Sequence, residues 1–512
     1  MFVKTYSCVL RGIRAILISI EIYVTQGIRF FIVGLADHAI RESQQRIESA
    51  LTNSGFEWPH YRVVINLAPA DIRKEGTHFD LPLAIGILAA TGQMKTDKLK
   101  DHLFIGELSL DGTIIPVKGV LPMIAHAKEI GMTSVVVPRS NTNEAAMVEG
   151  IEVIPAEHLR DVVKYLEGDL EVPPVVMDFS RFEKRSRSVF DMDFEEVKGQ
   201  ELVKRALLVA AAGGHNILMI GPPGAGKTML AKRLPTILPP LTLEESLQTT
   251  KIHSVAGKLA HQDHMITSRP FRSPHHTSSD IALIGGGSSP KPGEISLSHQ
   301  GVLFLDELPE FKRHVLEVLR QPLEERSIHL SRANYSVIYP ANFMLVGSMN
   351  PCPCGFYNHP DRDCTCGQGA IIRYLSRISG PLLDRIDIQV EVVPVPFSIM
   401  THQDSPENSD SMRSRVIVAR ERQSRRFHEI RGIATNSQME GRIIQHHCRI
   451  DTAGESLLKK VMQQLGLSAR AYNRILKVAR TIADLEGTAQ ISASHVAEAV
   501  SYRNLDRKSW PG

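Results

Sequence analysis

Short apolar or alternating runs predict strands along the first third of the chain: Val63-Val-Ile-Asn-Leu67, Leu103-Phe-Ile105, Thr113-Ile-Ile-Pro116 and Ser134-Val-Val-Val137. Between the last two, Leu121-Pro-Met-Ile-Ala-His-Ala-Lys128 has helical spacing, so residues 1–170 read as a mixed α/β unit. A polar stretch with Pro173-Pro174 and Glu183-Lys-Arg-Ser-Arg187 makes 171–192 an expected linker. Three apolar runs follow: Asn216-Ile-Leu-Met-Ile220, Gly301-Val-Leu-Phe-Leu305 and Phe343-Met-Leu-Val-Gly-Ser-Met349. They have the length of buried strands and place an α/β core at 193–395, with Glu391-Val-Val-Pro-Val-Pro396 as its exit. Beyond a polar loop at 401–411 the spacing is helical over 413–431, 452–465, 469–485 and 492–502, with Ser492 as an N-cap. Residues 396–512 therefore read as a helical domain.

Composition narrows this picture little. The 512 residues are 43% hydrophobic, enough for two to four domains with cores of their own. A formal charge of +3 gives no global basic field, so any nucleic-acid contact has to come from local patches. Arg11, Arg14 and Glu21 interrupt the N-terminal apolar segment, which excludes a signal peptide reading. The longest uncharged stretch, 206–226, contains His215 and Asn216 and reads as core, so no membrane span and a cytoplasmic protein are expected.

Chemistry enters at the end of the first apolar core strand. Gly221-Pro222-Pro223-Gly224-Ala225-Gly226-Lys227-Thr228 has the GxxxxGK[ST] spacing and leads into the helical Met229-Leu-Ala-Lys-Arg-Leu234. Glycines at 221, 224 and 226 let successive N–H groups turn inward around phosphates. Lys227 then reaches the β- and γ-phosphates of ATP, and the Thr228 hydroxyl holds Mg²⁺. The second run ends in Asp306-Glu307: Asp306 suits the metal, and Glu307 the orientation and deprotonation of an attacking water. The third ends in Asn350, a polar tip that could bond the γ-phosphate or the water.

With Arg385 in Pro381-Leu-Leu-Asp-Arg385 and Arg470 opening a late helix, the chain resembles the AAA+ ATPases. The resemblance implies that Asn350 is sensor 1, Arg385 the arginine finger, with Arg377 a second candidate, and Arg470 sensor 2. Four further blocks narrow it: Phe271-Arg-Ser-Pro-His-His276, Pro292-Gly-Glu-Ile-Ser-Leu-Ser-His299, Leu305-Asp-Glu-Leu-Pro-Glu310 and Asn350-Pro-Cys-Pro-Cys-Gly355. On these the whole chain is similar to the magnesium-chelatase-like ATPases of the YifB/ComM family. In residues 1–170, Lys74-Glu-Gly76, Gly106-Glu-Leu-Ser-Leu-Asp-Gly112 and Ile115-Pro-Val-Lys-Gly119 resemble the Lon protease domain. Its serine–lysine dyad has no counterpart, since Gly76-Thr-His-Phe-Asp-Leu81 occupies the serine loop and Leu121 the lysine position. Thr77 and Lys118 are the only nearby substitutes, so a scaffold or contact module is expected. The fold class is then α/β: a P-loop AAA+ core with a C-terminal helical lid, preceded by a Lon-protease-like α+β domain without a recognisable dyad.

Two close thiol pairs, Cys352/Cys354 and Cys364/Cys366, can close a tetrahedral Zn²⁺ site, although C-x-C is tighter than the usual knuckle. Reduced thiols or an occasional disulfide are the alternatives, and Cys8 and Cys448 stand alone. Adjacent His275 and His276 suit a loop role better than metal binding. A predicted hairpin, Ser327–Ser331 and Tyr335–Tyr339 with Arg332-Ala-Asn334 as its turn, makes Arg326 and Arg332 DNA-contact candidates, together with Lys291 of a glycine-rich insertion. Arg415, Arg422 and Arg426 lie near one helix face and read as solvent or subunit contacts.

An arginine finger acting in trans implies a homo-oligomeric ring, a hexamer by resemblance. The resemblance further implies movement along branched or single-stranded DNA, with branch migration in recombination and natural transformation. The competing readings are a chelatase-type motor remodelling a partner for metal insertion and an ATP-dependent protease or chaperone. Against the first, Asp178-Phe-Ser-Arg-Phe182 misses the last serine of a D-x-S-x-S metal motif.

Overall fold

The computed structural model describes the chain except for residues 178–189, 260–264, 288–289, 333–334, 358, 360, 397–406 and 504–512. Most of the expected linker's charge run, with Glu183 to Arg187, lies outside the described residues, as does most of the loop at 401–411.

Alternation of buried and exposed positions makes β1 (Phe2–Arg11) and β2 (Arg14–Thr25) a long antiparallel hairpin closed at Gly12, whose φ is 67°. With β3 (Phe30–Val33), β4 (Arg62–Ala68), β5 (His102–Phe104), β6 (Ser134–Pro138) and β7 (Glu152–Ala156) it forms a seven-stranded sheet, ordered β3-β4-β2-β1-β5-β6-β7. Helix α1 (His38–Asn53), N-capped by Asp37, and α2 (Asp80–Ala90) cover the inner face. Every residue of α2 is buried, which its all-round apolar sequence Leu81-Pro-Leu-Ala-Ile-Gly-Ile-Leu-Ala-Ala90 requires. Helix α3 (Val120–Glu129) covers one end of the outer face.

The second sheet is wholly parallel. Its strands are β8 (Ile217–Ile220), β9 (Phe271–Arg272), β10 (Val302–Leu305), β13 (Met344–Met349) and β14 (Ile388–Glu391), in the order β9-β10-β13-β8-β14. The hairpin strands β11 (Ser327–Arg332) and β12 (Tyr335–Pro340) stand apart as a ribbon. Strands β8, β10, β13 and β14 are nearly all buried, with apolar clusters on both faces. Helices α4 (Ser409–Phe427), α5 (Thr452–Leu465), α6 (Ala469–Glu486) and α7 (Ala493–Ser501) follow, and their apolar faces join one of those clusters.

Several local expectations change. The first helix of this last group begins at Ser409, because the Asn408 side chain caps it by accepting from the Ser411 N–H at 2.9 Å; the polar loop ends earlier than expected. Arg332 pairs with Tyr335 inside the ribbon and is not a turn residue. Arg326 is not a surface charge: its guanidinium is largely buried and donates to Asn342 Oδ1 at 2.6 Å. Arg422 and Arg426 also turn inward, onto the backbone carbonyl and the carboxylate of Asp484, so the solvent or subunit reading fails for both. Thr77 donates to Glu107, and the Lys118 stem packs against Gly257.

Candidate functional site

The carboxyl ends of the parallel strands converge, as crossovers on such a sheet dictate. The loop 221–226 leaves β8 and enters helix α8 (Lys227–Ile237). A side chain at Gly221 would collide with the Val392 carbonyl, while Gly224 and Gly226 have φ of 79° and 88°. Gly226 offers no side-chain cap, so the first-turn N–H groups of this helix are left for an anion. Nothing lies within 4 Å of a methyl built on Gly224, so the loop is open there. Pro222, Pro223 and Ala225 complete its wall.

Lys227 is only 9% exposed. Its Nζ donates to the carbonyls of Gly221 at 2.7 Å and Pro222 at 2.9 Å, and to Asn350 Oδ1 at 3.2 Å. Burial pulls its pKa down, against the opposing charges of Asp306 and Glu307. Thr228 Oγ1 donates to Asp306 Oδ2 at 2.7 Å, and Ser348 donates to the other carboxylate oxygen. Two hard oxygen donors at this spacing fit Mg²⁺. Glu307 has φ of 52°, a left-handed conformation, and its Oε2 lies 3.4 Å from His276 Nδ1.

The two arginines sit elsewhere. Arg385 immediately precedes β14, and its carbonyl accepts from Asn216, which precedes β8. Its guanidinium donates to the Pro381 carbonyl at 2.5 Å and pairs with Glu324. Arg470 is 68% exposed and lies 3.5 Å from Asp384. Both line one cleft of about 640 Å³. That cleft is at the amino ends of the strands, whereas Lys227 is at the carboxyl ends. A four-residue strand at ~3.3 Å per residue separates the two levels by roughly 13 Å. Arg377 is nearer to Glu307: it bonds the Pro309 carbonyl and Glu310, at 3.3 and 2.8 Å.

The four clustered cysteines come together. All their Sγ atoms lie within 4.8 Å of one another, with closest pairs at 3.3, 3.6 and 3.7 Å. Zinc–sulfur bonds of about 2.3 Å in a tetrahedron require S···S edges of about 3.8 Å, so the donor set fits a zinc-sized ion. Burial raises the Cys354 thiol, but N–H donation from Phe356 and a bond from Cys352 outweigh it and bring it down to about 6. A methyl on Gly355 would lie 2.5 Å from Pro223 Cδ, so this loop rests directly on the phosphate loop.

Sequence reasoning missed Ser348, and gave His276 a loop role without its contact to Glu307. Ser348 was within reach, since it lies two residues before Asn350 on a strand and so shares its face. His276 carried no local signal toward Glu307, because β9 and β10 become neighbours only in the sheet.

Comparison with known proteins agrees along the whole chain. Family models match at 193–400 (Magnesium chelatase, subunit ChlI), 20–141 (Subunit ChlI of Mg-chelatase) and 406–503 (subunit ChlI C-terminal). Competence protein ComM of Haemophilus influenzae is 44% identical over 504 residues, 98% of this chain and 97% of its own length. Uncharacterized protein YifB of Salmonella typhimurium is 43% identical over 499 residues, covering 97% and 96%. A shorter likeness, 29% over 122 residues, is to Lon protease 2 of Bacillus subtilis, covering 24% and 22%. The chain belongs to the YifB/ComM family of magnesium-chelatase-like AAA+ ATPases.

Proposed function

We propose that the chain hydrolyses ATP as a ring of identical subunits, a hexamer, and uses the turnover to move along branched or single-stranded DNA. The observation that carries this reading is the division of charged groups between the two ends of one sheet, with Lys227, Asp306 and Glu307 at one and Arg385 and Arg470 at the other. Across roughly 13 Å, neither arginine reaches a phosphate held by its own Lys227. A head-to-tail ring brings the arginine end of one subunit to the phosphate end of the next.

The chemistry follows from the residues. Lys227 gives up its carbonyl partners Gly221 and Pro222 for phosphate oxygens, and the loop N–H groups hold the rest. Glu307 takes a proton from the water that attacks the γ-phosphorus, the bond to the bridging oxygen breaks, and ADP and phosphate leave. Asn350, beside Lys227, orients the γ-phosphate or the water. Mg²⁺, held by Thr228 and Asp306, would supply positive charge against the phosphate oxygens. Arg385 of the neighbouring subunit, released from Glu324, meets the charge that develops on the transferred group. Exposed Arg470 supports it from the same cleft.

Three further assignments complete the reading. The four cysteines hold a structural zinc ion that braces the phosphate loop through Gly355. Residues 1–170 form a Lon-like module without proteolytic function, separated from the ATPase core at 193–395 and the lid at 396–512. The competence role in the name of ComM supports DNA as the load, in branch migration during recombination and natural transformation.

The test is ATP hydrolysis measured without DNA and with duplex, forked and four-way-junction DNA, beside strand displacement, for wild type, Lys227→Ala and Glu307→Gln. Stimulation by branched or single-stranded DNA with strand movement is expected. Turnover indifferent to all DNA, without movement, rejects the motor reading.

A further inference from the structure

Among the described residues, the outer face of the N-terminal sheet is covered at one end only. There Cys8 and Ala15 cluster with Val120, Met123 and Ile124 of α3. At the other end the register aligns Phe31, Val64, Tyr23 and Phe2 in one row across β3, β4, β2 and β1. The rings of Phe31, Tyr23 and Phe2 belong to residues 39%, 51% and 55% exposed. The inner face already holds Ile20, Ile22, Val63 and Ile65, so the outer aromatic row serves no core and is an exposed apolar patch on a rigid sheet.

The charges around the row are mainly basic. The Arg62 guanidinium carbon lies 5.4 Å from the Phe31 ring centre and Lys4 Nζ 5.6 Å from that of Phe2. Glu21, in the next row, is already paired with Lys4 at 2.9 Å and accepts from Asn66. Along β3 the exposed positions Phe31 and Val33 lead to Leu35, at the lip of a cleft of about 690 Å³ walled in part by exposed Arg11, Arg41 and Arg73, with Asp71 and Asp37, the latter already accepting from the Ile40 and Gly76 N–H groups, also in its wall.

We propose that this face binds a single strand of DNA, stacking bases on Phe31, Tyr23 and Phe2 and leading phosphates past Arg62 toward Arg11 and Arg41. Aromatic rings on an open sheet bordered by cations match what unpaired bases and their backbone require. A duplex keeps its base faces to itself, so the site discriminates against it. A two-fold contact between copies of this face would set its positive charge against itself. The inference rests on the DNA reading above and adds a binding site outside the ATPase machinery.

The test uses the full chain. Fluorescence anisotropy measures binding of labelled oligo-dT and of duplex DNA to wild type, Tyr23→Ala/Phe31→Ala and the aromatic-preserving Tyr23→Phe/Phe31→Tyr. Sedimentation velocity reports assembly, and thermal unfolding reports fold. We expect about tenfold weaker oligo-dT binding per ring removed, recovery in the aromatic-preserving variant, and crosslinks from iodouracil-substituted oligonucleotide to Tyr23 or Phe31. Wild-type affinity in the alanine variant overturns the platform and leaves the DNA motor standing. Absence of any DNA binding by wild type overturns both. Loss of assembly in the alanine variant, with no crosslink in wild type, makes the face a protein contact and overturns the platform alone.

Discussion

His276 Nδ1 lies 3.4 Å from Glu307 Oε2, which joins the segment after one edge strand to the carboxylate at the tip of the next. Glu307 is 57% exposed at its side chain and bends through a left-handed backbone, and His276 is a neighbour its carboxylate faces. His276→Ala is expected to lower kcat for ATP about 3- to 30-fold while KM stays within about twofold, since His276 touches the base and not the phosphate loop. Steady-state kinetics check the split; a KM effect alone assigns His276 to nucleotide binding.

Lys227 and Glu307 should separate binding from chemistry. Lys227→Ala removes a buried cation that donates to the loop carbonyls and is expected to weaken binding of a fluorescent ATP analogue about 100-fold. Glu307→Gln should bind it nearly as wild type and turn over about 100- to 10,000-fold more slowly. Equal binding by both variants would contradict the placement of Lys227 on phosphate.

Arg385 acts across subunits if the two-ended arrangement has the meaning proposed. Arg385→Ala and Lys227→Ala should each be inactive alone, and mixing them should restore a fraction of turnover through sites that pair an intact Lys227 with an intact Arg385. Because Arg385 also binds Glu324 and the Pro381 carbonyl, Arg385→Lys serves as the folding control. No recovery on mixing, with rings still formed, points to action within one chain.

Zinc analysis of purified protein should give about one ion per chain, lost in Cys354→Ser. Because Gly355 abuts Pro223, that variant should also bind ATP analogues more weakly, by about 3- to 30-fold. Zinc loss with unchanged nucleotide binding would leave the metal structural but uncoupled from the loop.

Acid stability should follow Asp387. Burial pushes this carboxyl up, but the bond from His215 and the charges of Arg474, His215 and Lys477 outweigh it and hold it far below its ordinary 3.8. A depressed folded-state pKa means stability present above about 3.8 and lost as pH falls below it, where only the unfolded chain gains the proton. Asp387→Asn should cost about 3 kcal/mol at neutral pH, through the orphaned Arg474, and flatten the acid limb of a denaturation series. An unchanged acid limb would assign the loss to other carboxylates.

The phosphate loop, the Asp306-Glu307 pair and the three core strands were legible because each is local, carried by spacing within about eight residues, and the four cysteines lie within fifteen. Helix α2 was not legible, since its uniformly apolar sequence has no periodicity to separate a buried helix from a buried strand. Arg326, Arg422 and Arg426 were misread because a charged residue looks solvent-exposed until the acceptors facing it are known.

What the sequence by itself determined is therefore the set of local patterns: a loop with the GxxxxGK[ST] spacing, two adjacent carboxylates at a strand end, two close thiol pairs, and the family that carries them. Only the tertiary structure decided the distribution of that chemistry. The order β9-β10-β13-β8-β14 brings Asn350 beside Lys227 and His276 beside Glu307, and puts Arg385 and Arg470 at the far end of the same strands. The physical reason is that strand order and register are set by packing between segments 31 to 171 residues apart, which no local pattern encodes.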